Sequence, residues 1–137
     1  MDLTDLSKAK YAPNGRGPHE YDCWGVCAEV HRRRGLSFPE PSEIERAFFF
    51  SPETGIGIPR MVGPAIDARK ELFDELETPE PFCTVTFEGT DGEAYHMGIC
   101  IDNMSMIHAR RRGGILLERF DEAPWSNRRP RFWRLRA

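Results

Sequence analysis

Five short runs rich in β-branched and aromatic residues fill the C-terminal part of the chain and limit the folds that it can adopt. Turn signals separate the first four runs at residues 89–92, 102–103 and 112–114. Short strands joined by tight turns are typical of an antiparallel sheet. The predicted strands cover residues 82–87, 95–101, 104–109, 115–120 and 131–136, and the last is expected at an edge of the sheet.

A helical pattern precedes these strands. Four residues recur at spacings of three and four and share one helix face: Cys23, Val26, Cys27 and Val30. Asp22 is a suitable N-cap for this helix, and Gly35 is a suitable stop signal. Two further helices are predicted over residues 42–48 and 64–76. Helices followed by an antiparallel sheet indicate the α+β class, with one domain over residues 1–137.

Charge is distributed unevenly along the chain. Residues 1–107 hold 10 Lys and Arg against 19 Asp and Glu, whereas residues 108–137 hold 9 against 3. A basic segment of this kind can bind nucleic acid or another anionic polymer. It can equally form a solvated face that pairs with the acidic remainder of the protein. We favour the second interpretation and expect no nucleic-acid partner.

Membrane insertion and secretion are not indicated by the sequence. No apolar run approaches the ~20 residues that a membrane-spanning helix needs, so no membrane partner is expected. The first residues are acidic and lack the apolar segment of a secretory signal peptide. We therefore expect synthesis in the cytoplasm and, if the protein acts outside it, transport by some other carrier.

The chain has four cysteines: Cys23, Cys27, Cys83 and Cys100. Free thiols are expected, because a domain of this length does not depend on disulfides and no export signal indicates an oxidising compartment. Cys23 begins the predicted helix, where unpaired N–H groups and the helix dipole favour a thiolate. It is therefore a candidate nucleophile, and a buried structural cysteine is the alternative interpretation.

A nucleophilic thiol needs a base, and imidazole has a suitable pKa. His19 lies in a predicted loop and His31 near the end of the helix, and both are assigned to solvent-exposed positions. His96 and His108 instead lie within apolar strands. Because a buried imidazole without a polar partner is unfavourable, these two histidines are expected to meet.

The register of two neighbouring strands decides whether they do. A three-residue loop at 102–104 would pair Gly98 with His108 and place His96 on the same sheet face as a diagonal neighbour of His108. A two-residue loop would put the histidines on opposite faces. With the longer loop, Cys23 would attack, His96 would act as base and acid, and His108 would orient His96.

Three stretches resemble motifs of one protein family. Tyr-Asp-Cys-Trp-Gly-Val at 21–26 resembles the nucleophile motif of the NlpC family of papain-like cell-wall peptidases. His-Met-Gly-Ile at 96–99 is similar to the strand that bears the base in that family, and Met-Ile-His-Ala at 106–109 is similar to the strand that supplies its third polar residue. The resemblance implies a papain-like fold, a catalytic triad of Cys23, His96 and His108, and no cofactor or metal.

Two more residues are assigned to the site by this resemblance. Tyr11, with Gly15 between it and Cys23, is similar to a family tyrosine whose hydroxyl lies near the nucleophile, which implies contact with substrate or the oxyanion. A packed loop tyrosine is the alternative. Trp24 replaces the common serine, as in phage-tail members of the family, and is grouped with Tyr11 at the substrate site.

The resemblance implies hydrolysis of an amide in the peptidoglycan stem peptide, typically between D-glutamate and the diamino acid. Delivery to the periplasm or cell wall by a phage tail or similar assembly is the expected context, with tail proteins as partners. One alternative is a structural tail component that keeps an unused or differently directed thiol site. A zinc site at Cys23, Cys27 and His31 is disfavoured, because the familiar Cys-x-x-Cys spacing is absent.

Overall fold

The computed structural model describes residues 1–43, 68–88, 94–110 and 112–136. Helix α1 (Cys23–Arg33) begins at the predicted residue and has Asp22 as its N-cap. The predicted helix over 42–48 lies almost wholly outside the described residues. The strands are β1 (Lys10–Tyr11), β2 (Glu20–Tyr21), β3 (Phe73–Leu76), β4 (Thr84–Glu88), β5 (Ala94–Cys100), β6 (Ser105–Arg110), β7 (Gly114–Arg119) and β8 (Arg131–Leu135).

The main sheet has six strands in the order β3-β8-β4-β5-β6-β7, and each pair of neighbours is antiparallel. The predicted antiparallel sheet is thus confirmed, and β5 and β6 lie inside it. The prediction that the last strand lies at an edge is wrong, because β8 pairs with both β3 and β4. Separately, the short strands β1 and β2 pair in parallel just before α1.

Strand β3 replaces the C-terminal end of the helix predicted over 64–76. Its residues pair antiparallel with β8, from Phe73 opposite Leu135 to Leu76 opposite Phe132. Phe73 is buried at 3% exposure, whereas Glu75 is exposed, so the segment alternates as a strand does. Pairing with a distant strand therefore outweighs the local helical pattern. Residues 64–67 lie outside the described part of the chain.

Apolar side chains cover both faces of the sheet. The buried face of α1 packs against Met97 and Ile99 of β5, with Trp133 in the same cluster. On the opposite face, a second cluster contains Phe87, Met106, Phe120 and Phe132, among others. β5 is thus fixed from both sides and by hydrogen bonds to two neighbouring strands.

The arginines of the C-terminal segment pair with acidic residues earlier in the chain. The N–O distances are 2.7 Å for Arg131–Glu75, 3.2 Å for Arg134–Glu80 and 2.8 Å for Arg136–Asp74. This confirms that much of the basic segment is a solvated face paired with the acidic body. Such exposed pairs each stabilise the fold only slightly. Within the described residues, no helix has the length and apolar composition needed to cross a membrane.

The start of α1 is packed tightly against the loop before it. The carbonyl oxygen of Gly15 accepts a hydrogen bond from the Asp22 backbone N–H at 3.3 Å. A Cβ atom at Gly25 would overlap that same carbonyl oxygen. Glycine at position 25 is therefore required for the loop to reach the helix.

Gly25→Ala is expected to destabilise the protein by about 1–3 kcal/mol through this backbone overlap. Helix propensity alone predicts the opposite sign, a gain of about 1 kcal/mol. Urea unfolding of both proteins measures the difference. Gly35→Asn is the control, because Gly35 has a positive φ of 78° that Asn tolerates and has open space around it. A stabilised Gly25→Ala protein would contradict the packing argument.

Candidate active site

The candidate nucleophile Cys23 is the first residue of α1 and is 7% exposed. The Asp22 carboxylate sets this helix start, because Oδ1 accepts a hydrogen bond from the Gly25 backbone N–H at 2.6 Å. The backbone N–H groups of Trp24 and Met97 act on the thiol and favour its ionised form. The thiol therefore lies beside β5 at Met97. The His96 ring instead stacks on Phe87 and Trp125, which belong to the cluster on the sheet face opposite α1. Within the described residues, the structure does not join Cys23 to His96 by a hydrogen bond.

Cys23 is nevertheless a protonated thiol near neutral pH. Burial, followed by the negative charge of Asp22, raises the pKa of Cys23 to about 12. The sequence predicted a thiolate favoured by the helix N-terminus, and the structure opposes that prediction. The N–H groups do lower the pKa, but desolvation of the charged form outweighs them.

The β5–β6 hairpin has the register predicted for a three-residue loop. Ile99 pairs with Ile107, Cys100 pairs with Met106, and the Ile101 N–H donates to the Ser105 carbonyl at 2.8 Å. Asp102 fixes the turn, because its Oδ1 accepts hydrogen bonds from the Met104 and Ser105 N–H groups at 2.8 and 2.7 Å.

This register brings the two strand histidines into contact. His96 Nε2 lies 2.8 Å from His108 Nδ1, and the rings are roughly perpendicular, at 80°. Gly98 lies opposite His108 in the hairpin and leaves room for it. A Cβ atom at Gly98 would lie 3.1 Å from the Cβ atom of His108. The glycine of the His-Met-Gly-Ile stretch thus permits close packing of the histidine on the next strand.

The polar chain continues beyond His108 to residues that the sequence reasoning missed. His108 Nε2 lies 3.1 Å from Glu118 Oε1 on β7. The indole N–H of Trp125 donates to Glu118 Oε2 at 3.2 Å, and its ring stacks on His96 with centroids 5.0 Å apart. Arg110 donates to Glu118 Oε1 at 3.0 Å. An acidic residue directly after the apolar run Ile115–Leu117 was the available signal for Glu118.

Both histidines are neutral near pH 7. Burial lowers the pKa of His96 well below its usual range, and His108 with two nearby arginines acts in the same direction. Burial also lowers the pKa of His108 to about 4, although Glu118 opposes the shift. Partial burial acts to raise the pKa of Glu118. The hydrogen bonds that it accepts, the strongest from Trp125, outweigh this effect, so the pKa of Glu118 is lowered. Glu118 is therefore a carboxylate.

Tyr11 and Trp24 are placed differently from one another. Tyr11 lies on β1 opposite Tyr21, partly buried against the core, so its contact with substrate stays a prediction. Trp24 is fully buried, packs edge-on against Phe38, and donates its indole N–H to the Pro39 carbonyl at 2.8 Å. The prediction that the Trp24 side chain meets substrate is therefore wrong, because the indole is part of the core.

His19 is exposed as predicted, but His31 is not. Only 1% of His31 is exposed, its Nδ1 lies 2.7 Å from the Cys27 carbonyl oxygen, and its ring packs on Phe38. The prediction for His31 assumed that the helix end faces solvent, whereas the chain that follows α1 covers it. Among the described residues, no group of three His, Cys, Asp or Glu side chains is arranged to hold a metal ion.

Comparison with known proteins identifies the family of the chain. The model of the NlpC/P60 family matches residues 8–134. The chain belongs to the NlpC/P60 family. Members of this family are in general cysteine peptidases and amidases that act on peptidoglycan. No curated protein matches the sequence significantly.

A solved structure shares the fold. NlpC1 from Trichomonas vaginalis is similar with a TM-score of 0.62 and 19% sequence identity. The match covers 96% of this chain and 40% of that chain. The NlpC/P60 domain described above is thus papain-like, with α1 packed on an antiparallel sheet.

The three histidines with lowered pKa values are expected to make stability depend on pH. The folded-state pKa values of His31, His96 and His108 are lowered, so the unfolded chain binds more protons and the free energy of unfolding falls as pH drops below about 6.5. His108 alone accounts for up to about 3 kcal/mol by pH 4. Urea unfolding between pH 7.5 and 5 measures the slope.

His108→Asn should flatten that slope, because it removes one of these three imidazoles. A wild-type free energy of unfolding that is constant between pH 7.5 and 5 would contradict the burial of neutral imidazoles.

Proposed function

We propose that this NlpC/P60 domain is a cysteine endopeptidase that cleaves an amide bond in the peptidoglycan stem peptide. The hydrogen bond between His96 Nε2 and His108 Nδ1 is the observation that carries the proposal. It leaves the other nitrogen of His96 unused by His108, and the proposal requires that nitrogen to approach the Cys23 thiol, which lies against Met97 of the same strand, when substrate binds. Two neutral imidazoles on β5 and β6, together with a helix-terminal cysteine that reaches β5, have the parts of a Cys-His-His triad.

The resting site is a thiol and a neutral imidazole, so the proton moves when substrate is bound. The Cys23 sulfur attacks the amide carbonyl carbon and its proton passes to His96 Nδ1. His96 then gives that proton to the leaving amine as the C–N bond breaks and a thioester forms. Water, deprotonated by His96, hydrolyses the thioester and restores the thiol. The Cys23 backbone N–H and Tyr11 are the proposed donors to the oxyanion.

The proposed bond lies between D-glutamate and the diamino acid of the stem peptide, and the proposed place of action is the periplasm or cell wall. Delivery as part of a phage tail or similar assembly is proposed from the resemblance at position 24, where tryptophan replaces serine. Trp24 is buried, so this proposal rests on the residue type at position 24 and not on a direct contact between Trp24 and the assembly.

A structural component with a latent site is the second candidate. Cys23 is only 7% exposed and its pKa is raised to about 12, as in a site closed to substrate. Incubation with stem peptide, followed by mass spectrometry of the intact protein, separates the candidates: a working site forms the thioester at Cys23, whereas a latent site leaves Cys23 unmodified.

Digestion of purified peptidoglycan, with released fragments identified by mass spectrometry, tests the main proposal. The wild type is expected to release stem-peptide fragments, and Cys23→Ala and His96→Ala should each lower the rate by ~10³-fold or more. Cys27→Ala is the matched control, because it removes a thiol one helical turn away that is fully buried in the core. Equal release by wild type and Cys23→Ala would contradict the proposal.

A further inference from the structure

Glu118 joins the candidate triad to two side chains outside it. Its Oε1 lies 3.1 Å from His108 Nε2 and 3.0 Å from Arg110, and its Oε2 accepts from Trp125 at 3.2 Å. Its side chain is 26% exposed, whereas His108 is fully buried. A carboxylate held by three donors has little freedom to change its partners.

These contacts determine where the protons of both histidines reside. An ionised carboxylate only accepts hydrogen bonds, so His108 must carry its proton on Nε2. The neutral ring then presents an unprotonated Nδ1 to His96. His96 Nε2 must therefore be the donor in the 2.8 Å contact, which leaves His96 Nδ1 unprotonated and basic.

We propose that Glu118 is a positioning residue that sets the tautomers of His108 and His96 and so keeps the basic nitrogen of His96 available to Cys23. This inference rests on the proposed thiol hydrolase function for its effect on catalysis. The tautomers themselves follow from the contacts alone. Glu118 touches neither the thiol nor the base, and it acts through His108.

Trp125 holds the carboxylate in this role. Its ring packs against both imidazoles, with centroids 5.0 Å from His96 and 5.2 Å from His108. It is 6% exposed, so its indole N–H has little access to an alternative acceptor in bulk water. Glu118 Oε2 therefore satisfies a buried donor while Oε1 holds His108.

Glu118→Gln is predicted to exchange the tautomers. The buried Trp125 N–H requires an acceptor, so the amide oxygen faces Trp125 and the amide N–H₂ faces His108. Arg110 can turn into solvent, because half of its side chain is already exposed. His108 then accepts at Nε2 and carries its proton on Nδ1, and His96 in turn carries its proton on Nδ1, where the base is needed.

Nitrogen-15 NMR of the histidine-labelled protein at neutral pH reads both tautomers directly. Nε2–H forms of His96 and His108 are expected in the wild type, and Nδ1–H forms of both in Glu118→Gln. Peptidoglycan digestion by Glu118→Gln should be ~10²–10⁴-fold slower, as expected when an amide replaces a carboxylate that sets a catalytic tautomer. Glu122→Gln is the matched control, because Glu122 is exposed and pairs with Arg119.

A second substitution keeps the test decisive if the first variant loses activity for another reason. In Glu118→Gln with Trp125→Phe, no indole N–H competes, so the amide oxygen can turn to His108. Relative to Trp125→Phe alone, this double variant should show the wild-type tautomers and little further loss of rate. Failure to recover them would contradict the role given to Trp125.

Nε2–H tautomers that persist in a folded Glu118→Gln protein would overturn the inference, as would Nδ1–H forms in the wild type. The proposed function fails separately: exchanged tautomers together with no fragment release by the wild type would support the inference about Glu118 and reject the peptidoglycan substrate.

Discussion

The geometry of the site depends on one buried carboxylate, Asp22, which is 1% exposed. Its oxygens accept hydrogen bonds from the N–H groups of Gly25 and Asn14 and from the Arg16 guanidinium, at 2.6, 3.1 and 2.8 Å. One side chain thereby fixes the start of α1 and fastens the preceding loop to it. The same negative charge raises the pKa of Cys23, so the residue that positions the thiol also opposes its ionisation.

The sequence predicted the His96–His108 contact because that contact depends on a single short loop. Once residues 102–104 form a three-residue turn, the alternation of side chains along the strands puts His96 and His108 on the same face of the sheet. Glu118 and Trp125 could not be predicted in the same way. Their places depend on the register of the β6–β7 hairpin and on a short 3-10 helix, Trp125–Arg128, beyond β7. Neither is determined by the residues around the histidines.

The errors share a physical origin in contacts between distant parts of the chain. The residues of β3 have a helical spacing of apolar side chains, but they gain more by hydrogen bonding to β8 at the far end of the sequence. That same pairing removes β8 from the edge of the sheet. His31 is buried because Phe38 folds back over the end of α1. Local periodicity carries no information about such partners.

The two halves of the site differ in how far apart they lie along the chain. His96, His108 and Glu118 belong to three consecutive strands joined by short connections, so their contacts close small loops and favour rapid formation. Cys23 comes from a helix far upstream, and it reaches β5 only when α1 packs on the sheet. A partly folded chain in which these three strands have paired can therefore contain the His96–His108–Glu118 contacts while Cys23 is still away from β5. Reactivity of the thiol therefore requires that α1 has packed on the sheet.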